Sequence, residues 1–156
     1  MLKLKDIMDC LPLLASVLGN QYGVTVEIGG SEAYTDGKTI HLPALPLDSE
    51  PELITMIKGY CDHESAHIRE TDFEILRKAQ LTPFQHNLFN ILEDWRVEER
   101  LSARYPGCRG NFRLLIQKLF GTQKAGDTNP AFSILNTILL TVRSWSVDAI
   151  IPVGNP

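Results

Sequence analysis

Cysteine is scarce in this sequence, and its three cysteines lie far apart, at Cys10, Cys61 and Cys108. They form no CxxC pair, which argues against a zinc ribbon, and their odd number argues against a disulfide framework. Scarce and unpaired cysteines are typical of a reducing compartment. We therefore expect a cytoplasmic protein.

Long apolar runs and basic tracts are also missing. The longest apolar stretch, residues 132–142, is too short to cross a bilayer and contains Asn136, so it predicts a core helix. Asp6 and Asp9 interrupt the apolar start of the chain, which argues against a signal peptide. The formal net charge is −4, and no basic patch stands out. We therefore expect neither nucleic acid nor a membrane as a partner.

The composition is that of one soluble domain: 156 residues, of which 44% are apolar and 22% charged. Hydrophobic spacing and turn signals predict an α+β fold that is mainly helical, with a small sheet near the amino terminus. The predicted helices are residues 2–18, 52–80, 83–104, 111–120 and 131–147, and the predicted strands are 24–28 and 38–42, the second returning from a turn at Asp36-Gly37. The domain is expected to occupy residues 1–149, with 150–156 as a linker to a further carboxy-terminal region.

Residues 63–67 form an H-E-x-x-H motif inside a predicted helix. His63 and His67, four residues apart, project from one face of a helix. Both imidazoles can therefore reach one tetrahedral zinc ion at about 2.0–2.1 Å. Glu64 lies beside the first histidine, where it can deprotonate a metal-activated water. The motif thus predicts two metal ligands and a general base.

A candidate third ligand lies on the following helix, because catalytic zinc usually has three protein ligands. Glu93 and Asp94 interrupt an apolar face there, and burying carboxylates costs several kcal/mol unless a cation compensates. We predict Glu93 as the ligand, with Asp94 and Glu98 orienting a histidine by hydrogen bonds without binding the metal themselves. Asp94 as the ligand, with Glu98 behind it, is the alternative, because the sequence does not define the rotation of the helix to one residue.

Two longer patterns carry a family resemblance. They are Gly59-Tyr60-x-Asp62-His63-Glu64-x-Ala66-His67 and Asn90-x-x-Glu93-Asp94-x-Arg96-Val97-Glu98. The motif followed by a helical glutamate resembles the gluzincin metallopeptidases. The fuller pattern, over roughly residues 34–105, is similar to the metallopeptidase-like region of cobaltochelatase-type, von Willebrand A-associated bacterial and phage proteins.

The resemblance implies a zincin-like fold, in which residues 38–42 are an edge strand along the cleft above the motif helix. It also implies Zn²⁺ as the cofactor, a downstream von Willebrand A domain and a partner AAA+ ATPase. Members of that group are often described as chelatase components, so the resemblance supports the site better than it supports a substrate.

The leading functional prediction is a zinc metallopeptidase. Zn²⁺ would be held by His63, His67 and Glu93, and Glu64 would act as the general base while a metal-activated water attacks the peptide carbonyl. The alternative prediction is a non-hydrolytic, zincin-like assembly module that works with the von Willebrand A domain and the AAA+ ATPase.

A peptidase also needs a group that stabilises the oxyanion. Tyr60, one turn before His63, and Tyr105, just after the helix predicted over residues 83–104, are the main candidates, with His86 and Arg104 as further ones.

Some residues near the motifs have structural interpretations. Asp62 lies about 100° round the helix from His63, so we expect it to be solvated or to pair along the helix face. Trp95 and Trp145 are expected in the core. Arg96 is expected on a solvated stripe, with pairing to Glu93 or Glu98 as the alternative.

Overall fold

The computed structural model of the protein describes residues 4–44, 51–121 and 129–147. It has helices α1 (Leu4–Leu18), α2 (Pro51–Glu70), α3 (Phe73–Lys78), α4 (Pro83–Arg104), α5 (Cys108–Phe120) and α6 (Pro130–Ser144), and strands β1 (Thr25–Ile28), β2 (Tyr34–Thr35) and β3 (Thr39–Leu42). The predicted α+β class, mainly helical with a small amino-terminal sheet, is confirmed. The predicted linker at 150–156 and the boundary before it lie outside the described residues.

Helix α2 is the central element, in contact with α1, α4, α5, β2 and β3. Gly59 permits a close approach of α5, because a Cβ atom there would lie 3.1 Å from both the Asn111 carbonyl oxygen and the Leu115 Cβ. A glycine that is unfavourable for helix propensity is thus explained by packing. Asp62, Ser65 and Ala66 are buried on the same helix. The motif helix is therefore held on several sides.

The helix predicted over residues 52–80 is two helices. Helix α2 ends at Glu70, and α3 begins after Asp72. The Asp72 side chain accepts hydrogen bonds from the backbone N–H groups of Glu74 and Ile75, which caps the new helix. This break places Thr71 in a short connection at the end of the motif helix.

The sheet differs from the expectation in one respect. Its strand order is β1-β3-β2, so β3 is the central strand, and the prediction of residues 38–42 as an edge strand is wrong. Strand β1 pairs parallel to β3 and covers the side that was expected to be open, a long-range pairing that local patterns do not reveal. Among the strands that the structure describes, β2 is an edge strand instead. The predicted return from Asp36-Gly37 is confirmed, with Gly37 at φ 95° and β2 antiparallel to β3.

Helix α4 begins where its sequence predicts. Thr82 and Gln85 form a reciprocal capping box, and Pro83 occupies the first turn. The helix packs against α2, α5 and α6, and it buries Glu93 and Glu98 together with apolar residues such as Val97. Two carboxylates are therefore held inside the packed region.

One aromatic contact joins the middle of α4 to the end of α6. Trp95 and Trp145 form an edge-to-face pair with ring centroids 5.1 Å apart. Trp145 is nevertheless 58% exposed, so its expected core position is wrong.

Among the described residues, no helix combines the length and apolar character that crossing a membrane requires.

Candidate metal centre

Side chains from α2 and α4 converge on one point. The Nε2 atoms of His63 and His67 lie 3.9 Å and 3.2 Å from Asp94 Oδ1. One ligand atom from each of the three residues lies within 4.8 Å of the other two. In a tetrahedral site with bonds of about 2 Å, ligand atoms lie about 3.3 Å apart. The spacing of these three atoms therefore suits a single metal ion.

The other ring nitrogen of each histidine is already engaged. His63 Nδ1 lies 2.8 Å from Glu98 Oε1, and His67 Nδ1 lies 3.0 Å from Thr71 Oγ1. The Thr71 hydroxyl donates its own proton to Glu93 Oε1 at 2.7 Å, so its oxygen accepts from His67. The hydrogen-bond network thus assigns an N–H to each Nδ1. Each Nε2 can then offer its lone pair to a metal, as metal-binding histidines commonly do.

Glu93 does not lie with the two Nε2 atoms. Its Oε2 accepts from Arg96 Nε at 2.7 Å, and its Oε1 accepts from Arg96 Nη2 at 2.6 Å and from Thr71. The geometry therefore favours the alternative in which Asp94 is the third ligand. Adjacent residues on a helix point about 100° apart, so Asp94 faces the histidines while Glu93 supports His67 through Thr71. Arg96 takes the pairing role that was its alternative interpretation.

Arg143 of α6 completes the centre, and sequence reasoning missed it. Its Nη1 donates to Glu98 Oε1 and Oε2 at 3.0 and 2.9 Å, and its Nη2 donates to Asp94 Oδ2 at 2.8 Å. The residue is 4% exposed. The one signal in the sequence is that Arg143 is the single charged residue in the otherwise uncharged sequence of α6.

The charges of the centre favour a cation. Burial lowers the pKa of His63, but the hydrogen bond to Glu98 and the nearby charges of Asp94, Glu98 and Glu64 raise it to about 9. Burial raises the pKa of Asp94, but the hydrogen bond to His67 and the charges of His63 and Arg143 lower it to about 2. Both shifts favour a positive charge beside the carboxylates of the centre.

The balance of charge points the same way. Four carboxylates at the centre face two guanidinium groups, which leaves two negative charges when the histidines are neutral. A divalent cation would neutralise them. The carboxylates are Glu64, Glu93, Asp94 and Glu98, and the guanidinium groups are those of Arg96 and Arg143.

The histidines lie in a cleft of about 900 Å³. The segment from Ala33 to Asp36, which includes β2, forms part of its lining, and residues of α3 and α4 such as Phe73 and Phe89 form another part. Glu64 also lines the cleft, although only 5% of it is exposed. Burial raises the pKa of Glu64, against the effect of the neighbouring His63 and His67. The cleft is far larger than a metal ion needs, so it has room for a further molecule.

Neither main candidate for stabilising an oxyanion is among the residues that line this cleft. Tyr60 packs against the cluster that contains Ile40 and Leu42. Tyr105 packs against a different cluster of buried hydrophobic residues. The guanidinium carbon of Arg69 lies 5.6 Å from the centroid of the Tyr105 ring. Arg104 is also absent from the lining, whereas His86 is part of it.

Asp62 is buried, so the expectation that it is solvated is wrong. Asn111 Nδ2 of α5 donates to its Oδ2 at 2.7 Å, and burial raises its pKa. This carboxylate faces α5 and thereby joins the motif helix to that helix. Cys61, the residue before Asp62, is buried as well.

The comparisons with known proteins identify a family. The chain matches the model described as "CobT: Cobalamin biosynthesis protein CobT" over residues 4–134. No curated protein and no solved structure matches the chain significantly. The matched range contains His63, His67 and Asp94 but ends before Arg143, and it agrees with the predicted similarity to cobaltochelatase-type proteins. Because this range covers most of the sequence, the chain belongs to the CobT family of cobalamin biosynthesis proteins.

Proposed function

We propose that the chain is the metal-binding, zincin-like domain of a cobaltochelatase-type assembly, and that it acts there without hydrolysing peptides. The observation that carries this proposal is the family match, because residues 4–134 include both α2, which contains the H-E-x-x-H motif, and α4, which contains Asp94. In this role the domain works with a von Willebrand A domain and an AAA+ ATPase during the metal insertion that cobalamin synthesis requires.

The resident metal in this proposal is Zn²⁺, held by His63, His67 and Asp94. Two imidazole nitrogens and one carboxylate oxygen are a common donor set for zinc, and imidazole also binds other first-row metals. These three residues line the cleft, so the ion, when bound, would supply a Lewis acid there. Hydrogen bonds from the histidine rings to Glu98 and Thr71 orient those rings for metal binding.

Two measurements test this proposal. Elemental analysis of the purified chain should find about one zinc ion per chain, and His63→Ala should lose it. Size-exclusion chromatography with light scattering should then show co-elution with the von Willebrand A and AAA+ ATPase proteins in at least one nucleotide state. A chain that carries its metal but co-elutes with neither protein, with ATP, with ADP or without nucleotide, contradicts the assembly role.

A zinc peptidase is the second candidate, and one observation favours it. Glu64 lies beside the proposed metal donors and lines a cleft of about 900 Å³, which has room for part of a substrate. Burial raises its pKa, which brings the carboxylate closer to the range useful for a proton acceptor at neutral pH. The edge strand β2 offers backbone groups for pairing with an extended substrate.

Glu64→Gln separates the two candidates. If the chain is a peptidase, Glu64→Gln should retain zinc and lose cleavage of a denatured protein, as detected by mass spectrometry, whereas His63→Ala should lose both. If the assembly proposal holds, the zinc-loaded wild-type chain should leave the same substrate intact. Cleavage by the wild type and not by Glu64→Gln would replace the assembly proposal with the peptidase.

A further inference from the structure

We propose that Arg143 is a positioning residue of the metal centre, which sets the orientation of Asp94 and, through Glu98, of His63. The inference rests on the proposed metal site, but it concerns a residue beyond the range that the family model matches. The inference adds a third helix, α6, to a centre whose proposed ligands come from α2 and α4.

The geometry of the guanidinium group is the first argument. Nη1 lies 3.0 and 2.9 Å from the two oxygens of Glu98, and Nη2 lies 2.8 Å from Asp94 Oδ2. One planar group therefore bridges two carboxylates that lie one helical turn apart on α4. A lysine ammonium is a compact charge without this rigid fork, so it would not define both positions at once.

The second argument is what the bridge does to the donors. With Asp94 Oδ2 engaged by Arg143, Oδ1 is the oxygen directed at His63 and His67. With Glu98 bound to Arg143, its Oε1 also receives the His63 Nδ1–H at 2.8 Å. Arg143 thus acts on one ligand directly and on another through Glu98. It is the residue that joins these two contacts.

The third argument concerns burial. Arg143 is 4% exposed, and its Nε atom is buried without a hydrogen-bond partner in the described part of the chain. A buried charge is costly to hold and contributes little net stability even when paired. The side chain therefore leaves one donor unpaired while it serves both carboxylates. Orientation of the metal centre explains this arrangement better than stability alone.

The test compares metal binding by Arg143→Lys and Arg143→Met with that of the wild-type full chain. Arg143→Lys keeps the charge, and Arg143→Met keeps much of the apolar stem. Arg100→Met is the matched control, because Arg100 also pairs with a carboxylate, Glu70, but lies outside the centre. Zn²⁺ affinity is measured by competition with a chromophoric chelator. The visible spectrum of the Co²⁺-loaded chain reports ligand geometry, and circular dichroism of the metal-free chains reports folding.

The expected result is a fall in affinity of roughly 10- to 100-fold in both Arg143 variants, as for other groups that orient metal ligands. Their Co²⁺ spectra should also change, while Arg100→Met should match the wild type in both. A folded Arg143 variant with wild-type affinity and spectrum would overturn the inference. Failure of both variants to fold would overturn it too, since Arg143 would then be a structural residue. If the wild-type chain bound no metal, the proposed metal site itself would fail, which is a separate outcome.

Discussion

The Thr71 hydroxyl donates a 2.7 Å hydrogen bond to Glu93 Oε1, which leaves its oxygen to accept from His67. Arg96 in turn donates to both oxygens of Glu93. His67 is thus held by a chain of contacts that ends at one arginine, and His63 is held through Glu98 by another, Arg143. The two histidines of one helix therefore have separate supports.

Thr71→Val should weaken metal binding, because it removes the hydroxyl that accepts from His67 while keeping a side chain of similar shape. We expect the Zn²⁺ dissociation constant to rise by roughly 10-fold, measured by chelator competition. Thr71→Ser retains the hydroxyl and should retain most of the affinity. Equal affinities of Thr71→Val and the wild type would mean that this hydrogen bond does not orient His67.

Asp94→Asn and Glu93→Gln should have unequal effects on metal content. Asp94→Asn replaces the carboxylate that faces both histidines and should leave the purified chain with little zinc by elemental analysis. Glu93→Gln removes only a distant support of His67 and should leave the stoichiometry near one zinc ion per chain, with a lower affinity. The reverse pattern would make Glu93 the ligand, as the sequence-based prediction has it.

Local patterns predicted the parts of this centre that depend on one helix. The spacing of His63 and His67 follows from the helical period, and the helix that carries Glu93 and Asp94 has the bounds that its sequence predicts, residues 83–104. The choice between Glu93 and Asp94 depends on the rotation of α4, which its packing against α2 and α6 determines. No local pattern contains that information, so the sequence left both residues open.

Long-range contacts were less predictable for the same reason. Arg143 meets Glu98 across 45 positions of sequence, and a single arginine in an apolar helix has no spacing that names its partner. Strand β1 pairs with β3 in parallel, beyond the turn that predicted the antiparallel pairing of β2 and β3. The turn residues therefore predicted one neighbour of β3, whereas the other neighbour depends on tertiary packing.

Metal removal should make the stability of the chain depend on pH between neutral and alkaline conditions. In the metal-free protein the pKa of His63 is raised from 6.5 to about 9. A folded-state pKa above the unfolded value gives stability that is complete below about pH 6.5 and is lost as the pH rises through 9. We expect the unfolding free energy of the chelator-treated chain to fall by roughly 3 kcal/mol over that range.

Urea unfolding at several pH values measures this change. His63→Gln, treated with the same chelator, is the control and should show a smaller decrease. The zinc-loaded wild type should also show a smaller decrease, because the metal replaces the proton on His63. A metal-free wild type whose stability changes with pH only as much as that of His63→Gln would mean that the His63 charge does not stabilise the empty centre.

Asn111→Ala should lower stability without lowering metal affinity. Asp62 is 2% exposed and accepts from Asn111 Nδ2 at 2.7 Å, so the variant removes a donor from a buried carboxylate. Such a loss costs about 1–3 kcal/mol, which urea unfolding of the metal-free chain can measure.

The Zn²⁺ affinity of folded Asn111→Ala should stay at the wild-type value, since Asp62 lies next to His63 in sequence but faces α5. In the double variant Asp62→Asn/Asn111→Ala, the buried charge is absent, so part of the lost stability should return. A fall in affinity as large as that of Thr71→Val would instead place Asp62 among the groups that support the metal.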